Sequence, residues 1–446
     1  MGLATRLFTS VCHGMVAGLM LTSLALTQQT APLPAAPPLR LSLQDALARA
    51  RRNSVTFQST LTDAGVAREE KHQSLAALLP GATYNNSAIY TQGTGRDGSV
   101  TFIANNAVHE YISQANVHES IDVAGIAEFR RAGASAAVAR ARAEIASRGL
   151  VVTVVQSYYG VAAALLKLDV AQKAADEGER FLKLANDLEH GGEVAHSDVV
   201  KAELQSNDRL RQLREAKLAL LNARLDLAVL ISPNLTDNFE IAEDLHENAA
   251  LPTLPEVQQL AAKENPDIRA ALEAVKEAGF GVSTSRAGYL PSLSLDYFYG
   301  IDATHFARKT DGISNLGSAI VATLNIPVWN WGATQSRIKQ AELRRDQATR
   351  ELSLAQRKLL AELQSLYAEA ETAANELASL KRSAELAAES LRLTTLRYKD
   401  GEGTVLEVVD AQNTATLGDT AYQDGAVRYR VALANLQTLT GVLTAP

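Results

Sequence analysis

Thiols are almost missing from this 446-residue chain: its one cysteine, Cys12, lies in the first apolar stretch. Everything downstream must hold together without disulfides and without Cys-ligated metals. Neither charge sign dominates; the net charge of −7 is mildly acidic and argues against nucleic acid as the main partner. Past the N-terminal segment, no apolar run reads as long enough for a transmembrane helix. No Ser-His-Asp set, phosphate-cradling loop or paired acid/base constellation stands out, so the chain does not read as an enzyme and no cofactor is implied. Proline and glycine are both absent from Ala333 to Lys399. Nothing there would break a helix.

The N-terminus reads as an export signal over residues 1–25: Arg6, an apolar run from Val11 to Leu26, and a small-x-small site at Ser23-Leu24-Ala25. An N-terminal anchor is the competing reading, but the run falls short of the ~20 apolar residues a span needs. Residues 26–40, with four prolines between Gln28 and Pro38, read as a disordered lead-in.

The rest of the chain says nearly the same thing twice, about 210 residues apart. Asn53 is answered by Asn265, Leu79-Pro80 by Leu290-Pro291, and Gly192-Glu193 by Gly401-Glu402. Val199-Val200 and Ala202 recur as Val408-Val409 and Ala411. So long a period marks a duplicated half-molecule rather than a solenoid. The halves are 41–253 and 254–446.

Each half should contain one very long helix, about Phe129–Glu189 and Ala333–Lys399. In the second, Leu359, Leu363, Leu366, Ala370, Ala373, Leu377, Leu380, Ala384, Ala387, Leu391 and Thr394 alternate steps of four and three, a coiled-coil heptad. Val154, Tyr158, Val161, Leu165 and Leu168 form the seam of the first. Two shorter helices per half, Ser42–Leu78 with His196–Leu230 and Leu254–Tyr289 with Leu406–Leu439, are expected to stack end to end alongside it.

Four period-two segments lie between the helices, at about 81–91, 110–121, 291–300 and 315–326. Their length, single apolar face and terminal tyrosines fit outer-membrane barrel strands. Polar loops, Gln92–Glu110 and Ile301–Ser314, would face outward. Pro80, Pro291 and Pro327 mark helix–strand junctions, where proline blocks helix continuation. Four strands cannot close a barrel, and lipid tolerates no open edges. Three chains would give twelve strands, the smallest multiple that leaves a passage. The fold class is therefore mixed and mainly α: a trimeric barrel of long coiled-coil helices joined to a shared 12-stranded transmembrane β-barrel. An exported coiled-coil scaffold is the alternative of another kind.

Arg397-Tyr398-Lys399-Asp400-Gly401-Glu402-Gly403-Thr404-Val405-Leu406-Glu407-Val408-Val409-Asp410-Ala411 is similar to the second helical hairpin tip (about 398–407) of the TolC family of outer-membrane efflux channels. His190-Gly191-Gly192-Glu193-Val194-Ala195-His196-Ser197-Asp198-Val199-Val200 resembles the first (about 190–198), and the Leu-Pro pairs and Ile326-Pro327-Val328-Trp329 also match. The resemblance covers about Leu41 to Leu443. It implies a homotrimer in the cell outer membrane with a large periplasmic part, docking to a periplasmic adaptor (membrane fusion) protein and an inner-membrane pump. Such a protein is a passive exit duct of a tripartite efflux system for small molecules, or alternatively a channel for type I protein secretion.

At the second tip, Gly401 and Gly403 permit a reversal that bulkier residues would strain; Gly191 and Gly192 occupy the first. Glu407 and Asp410, at i and i+3, share a helix face. Threefold symmetry would make them an acidic ring that favours cations, although acids also suit any helix N-terminus. By the resemblance, Asp198 and Tyr398 match positions where family members tie neighbouring hairpins together. Gly403 stands where the best-known members carry Arg, which implies either a looser closed-state latch or one that relies on Arg397, Lys399 or Lys201. His109 and His118 are expected near the extracellular rim. His190 and His196 flank the first tip without metal-ligand spacing, and Trp329 and Trp331 are expected to pack at the strand-to-helix turn.

Overall fold

The computed structural model describes residues 39–90, 109–233, 239–242 and 250–444. The expected signal, Cys12 and nearly all of the first outward loop lie outside the described residues. In chain order the elements are β1 (Leu39–Leu41), α1 (Leu43–Asn53), α2 (Val55–Ala76), β2 (Gly81–Tyr90), β3 (His109–Ile121), α3 (Val123–His190), α4 (His196–Ile231) and β4 (Phe239–Ile241). The second half continues with α5 (Leu254–Glu264), α6 (Pro266–Ala287), β5 (Ser292–Ala303), β6 (Lys309–Thr310), β7 (Ile313–Ser314), β8 (Leu316–Asn325), α7 (Ala333–Lys399) and α8 (Val405–Thr440).

The long helices α3 and α7 have 68 and 67 residues, about 100 Å each at 1.5 Å per residue. Every seam residue expected along α7, from Leu359 to Thr394, is buried or half-buried. Two shorter helices accompany each long one: α2 and α4 pack on α3, α6 and α8 on α7. Contacts of α3 with α6 and α8 join the halves. Small residues set this spacing. A Cβ on Gly425 would meet Leu380 Cδ1 at 2.5 Å, and one on Gly418 would lie 3.3 Å from the Ala384 backbone.

Each expected upstream helix is two helices. The first breaks at Ser54, whose extended backbone (φ −70°, ψ 109°) lets its side chain accept from Phe57 N and cap α2. The second breaks at Asn265, which caps α6 by accepting from Ile268 N at 3.0 Å, with Pro266 in the first turn. The breaks let α1 and α5 turn away from the long helices' upstream partners. The α1 segment then packs on α3 and α4.

The main core sits there, and part of it was not legible in the sequence. The β1–β4 ribbon covers α3, and β1 begins within the expected lead-in. Tyr158 OH donates into this ribbon, 3.1 Å from Leu41 O and 2.7 Å from Ala242 O. Val151, Val154, Val155 and Val161 are fully buried around it. This also corrects the hydropathy reading: α3 does contain an 18-residue stretch apolar enough to cross a membrane. Of that stretch 44% is buried, and the ribbon and neighbouring helices cover that part.

The four strands form one antiparallel sheet in the order β2-β3-β5-β8. Its register aligns the faces. One row across the sheet is Ala82, Val117, Tyr297 and Ile320; another is Tyr84, Ala115, Tyr299 and Ser318. The opposite face carries Asn85, Gln114, Gly300 and Gly317 in one row and His118, Asp296 and Val321 in another. Side chains alternate between faces, so this pairing leaves one face mostly apolar and the other mostly polar. Tyr297, Tyr299 and Ile320 are exposed on the apolar face. Both outer edges, β2 and β8, have no strand partner among the described residues. Within the expected second loop, β6 and β7 form a small hairpin whose turn uses Asp311 (φ 51°) and Gly312 (φ 87°).

Replacing Tyr158 by Phe should remove both ribbon bonds and take this donor from the Ala242 carbonyl, while Leu41 O keeps its bond from Ala242 N at 2.9 Å. A loss of about 1–3 kcal/mol is expected, seen as faster amide exchange in β1 and β4. Unchanged exchange there would show that the tyrosine does not hold the ribbon.

Candidate functional site: the helical hairpin tips

Both tips are built by one backbone device. Gly192 (φ 74°) and Gly401 (φ 76°) take the left-handed conformation at matching points. Glu193 N then donates to Leu188 O at 2.9 Å, and Glu402 N to Arg397 O at 2.8 Å. These bonds close the ends of α3 and α7. Gly403 serves differently: a Cβ there would sit 3.0 Å from Tyr398 N. Close approach, rather than handedness, excludes larger residues at that position. Gly191 has an ordinary helical backbone, φ −75°.

The returning helices start unequally. Thr404 caps α8, accepting from Glu407 N at 3.3 Å, whereas Ala195 gives α4 no side-chain cap. Between the two hairpins lies an apolar cluster of Phe181, Ala185, Val199, Ala202, Tyr398, Val405 and Val408. The repeated Val and Ala positions recognised in the sequence are thus the places where the tips meet.

Tyr398 is only 2% exposed, with its ring 5.3 Å from that of Phe181. Its hydroxyl is buried and unpartnered. Burial, and then the nearby Asp198 carboxylate, push the Tyr398 phenol above its usual pKa. Asp198 itself pairs with Lys201 at 3.3 Å. The structure brings Asp198 and Tyr398 together inside one chain without a direct hydrogen bond. Lys399 lies exposed at the turn.

Glu407 and Asp410 both reach the surface of α8. Arg397 spans the turn, donating to Glu402 O at 3.1 Å and lying 3.8 Å from Glu407. Asp410 has no ion-pair partner among the described residues. Of the two carboxylates, Asp410 carries the less compensated charge.

The junction prolines stand where expected, Pro80 before β2, Pro291 before β5 and Pro327 after β8. Two expectations fail near them. Trp329 and Trp331 are 75% and 89% exposed, stacked edge to face on each other at 5.6 Å rather than packed into the chain. His118 is not at the outward end of β3. It lies level with Gly81, at the helix-proximal end, 2.8 Å from Asp296 on the polar face. Only His109 opens the strand. His190 and His196 bond to Asn186 O (2.7 Å) and Glu189 Oε1 (2.8 Å). No grouping of three metal-ligating side chains occurs among the described residues.

A family model described as outer membrane efflux protein matches residues 257–442. The chain is 25% identical to outer membrane protein OprJ of Pseudomonas aeruginosa over 400 residues, covering 86% of this chain and 80% of that protein. It is 22% identical to alkaline protease secretion protein AprF of the same species, covering 90% and 85%. Among solved structures, the CmeC outer membrane channel of Campylobacter jejuni superposes with a TM-score of 0.80 at 17% identity, over 90% of this chain and 86% of that one. A sheet with an apolar face, joined by prolines to two long helical hairpins, is thus the fold seen in outer-membrane channel proteins. The chain is similar to TolC-family efflux channels, in its second half through the family model and over most of its length through these relatives. Channels of this family form trimers, work with adaptor and pump partners, and are ducts rather than enzymes.

Because the Tyr398 hydroxyl has no partner, Tyr398→Phe should change tip stability by less than about 1 kcal/mol. Tyr398→Ala should cost about 3–5 kcal/mol through the cavity it leaves. Amide exchange over the two tips reads both. A large loss in the Phe variant would mean that the hydroxyl bonds to a group outside the chain.

Proposed function

We propose that this chain is the passive exit duct of a tripartite efflux system, acting as a homotrimer that closes a twelve-stranded barrel and exports small molecules. The observation that carries this reading is the sheet. Its apolar face suits lipid, its polar face suits a water-filled lumen, and its unpaired edges run in opposite directions. β2 ascends from the helices and β8 descends to them. Edge-to-edge pairing between copies would therefore be antiparallel, as in outer-membrane barrels. The exposed Trp pair at the foot of β8 suits a membrane–water interface. Energy would come from the inner-membrane pump, reached directly or through the periplasmic adaptor, and the duct itself performs no chemistry. The same reading removes residues 1–25 as a signal and divides the halves between residues 253 and 254. Protein export is the second reading, favoured by the similarity to AprF, a protein named for protease secretion.

At the tip, the proposal assigns Glu407 and Asp410 to an acidic ring around the axis. Asp198, Tyr398 and the apolar cluster would latch the closed state. Arg397 bears on Glu407, so Asp410 should dominate selectivity. In planar bilayers, wild-type trimers should pass a small cation-selective current. Asp410→Asn should lower that selectivity more than Glu407→Gln, and the double variant should lose most of it. Anion selectivity, or equal selectivity in all forms, would remove the ring.

The barrel face is tested separately. Ile320→Arg should cost about 2–4 kcal/mol if it faces mid-membrane lipid. Its neighbour Ala319→Arg, on the polar face, should cost much less. Heat-modifiable trimer yield measures both, and equal losses would contradict the assigned faces.

A further inference from the structure

Between the two helical hairpins, above the tip cluster, lies a groove of about 560 Å³ formed by α3, α4, α7 and α8. Ala174, Ala384, Ala388, Ala415 and Leu391 give it an apolar floor. Two polar groups at its wall are left in states that ordinary helix packing avoids.

Arg209 of α4 is 4% exposed. Its Nη1 donates to Gln212 at 2.9 Å and its Nη2 to Asn413 of α8 at 2.6 Å, so its contacts are neutral amides. Asp208, the only carboxylate that raises its pKa, is taken up by Arg211 at 2.6 Å. Burial accordingly pushes the guanidinium below its usual pKa. A buried cation without an anion is costly. Gln412, also 4% exposed, has neither amide atom hydrogen-bonded. Buried polar groups are ordinarily paired.

The rim is also cationic. Lys173 and Arg180 are engaged by Asp169 (2.6 Å) and Glu177 (2.7 Å). Lys381 stands exposed at the rim without an ion pair among the described residues. The wall's own acids are committed or offset: Glu177 to Arg180, Glu385 to Arg382 at 3.2 Å, and Asp419 faces Lys173. The buried cation and the unbonded amide stand together at the Leu391 end of an apolar floor, and Lys381 stands at its far end.

We propose that this groove is a binding site for a small amphipathic carboxylate, its carboxylate between Arg209 and Gln412 and its chain along the alanine floor toward Lys381. The lining selects such an acid: a buried cation and an unbonded amide meet it at one end, and the alanines of the floor run roughly 15 Å beyond them along the helices. Ligand sites of a few hundred Å³ with few polar groups are the common small-molecule form.

The test uses the full chain, assembled and held in lipid nanodiscs, with decanoate as probe and decanol as its uncharged counterpart, read by calorimetry. Saturable decanoate binding at least tenfold tighter than decanol is expected. Gln412→Leu, which removes the unbonded amide beside Arg209, should weaken decanoate at least tenfold and leave decanol unchanged. Ala388→Trp, which fills the floor, should abolish both. Arg209→Gln should behave like Gln412→Leu if the assembly survives it. Equal affinity for decanoate and decanol, full decanoate affinity in Gln412→Leu and Ala388→Trp, or no saturable binding would each overturn the site. None of these readings depends on conduction, so a failure here is separable from a failure of the duct.

Discussion

Four strands with two unpaired edges cannot rest in hydrocarbon, and that constraint organises the molecule. Each exposed backbone N–H or C=O would cost several kcal/mol in lipid. The edges of β2 and β8 must therefore find partners, and their opposite directions allow identical chains to supply them in a closed ring. Closure then gives meaning to the alternation along each strand. In an open sheet, two distinct faces would be a curiosity; in a ring, one must meet lipid and the other must line the interior. The register that aligns Val117, Tyr297 and Ile320 in one row is what keeps the faces uniform from strand to strand. A one-residue slip would exchange them.

In the proposed trimer the helices would inherit the ring's geometry. Strand ends feed helices at Pro80, Pro291 and Pro327, so a closed ring of strands would place the long helices in a ring as well. Alanine and glycine at the seams let them lie close enough to make a wall. Close packing leaves little room for error, as the contacts of Gly418 and Gly425 show. Charged residues are carried by links between helices instead. Arg428 of α8 holds Glu369 at 2.6 Å and Glu376 at 2.9 Å on α7, and Lys167 of α3 holds Asp424 of α8 at 2.9 Å. Such exposed pairs contribute little stability individually, but they fix the rotational phase of one helix against another.

How much of this was legible in the sequence follows from the range of the interactions. The α7 seam could be read residue by residue because a heptad is a local pattern, and the strands because alternation is local too. The β1–β4 ribbon could not. Its strands have three residues each, too short for any period, and they pair across most of one half of the chain. The breaks at Ser54 and Asn265 carried capping residues but sat within otherwise helical stretches. His118 was misplaced because polarity suggests a loop end, whereas the register places it beside Asp296 on a polar face. Trp329 and Trp331 were misjudged because aromatic residues usually seek a core; here they stand outside the chain's own core. Arg209 gave no signal at all. An arginine on a helix reads as solvated, and only the close approach of Gly178, 3.4 Å from a built Cβ to Arg209 Cγ, shows how it is enclosed.

The tip shows how duplication and asymmetry work together. The two turns share a backbone design, and Val199, Ala202 and Val408 of their Val-Val-x-Ala repeats meet in one cluster within a single chain. Packing of that core therefore does not wait for assembly. What assembly adds must come from groups the chain leaves unmatched. The halves differ in those groups. The first turn offers Asp198, already engaged by Lys201, on an uncapped helix. The second offers a capped helix with Glu407 leaning toward Arg397 and Asp410 unpaired. Identical turns thus provide the common scaffold, while the charges grafted onto them have diverged. A repeated backbone with unequal charges gives every chain one face that closes on itself and, in the proposed trimer, another whose electrostatics would be completed around a common axis.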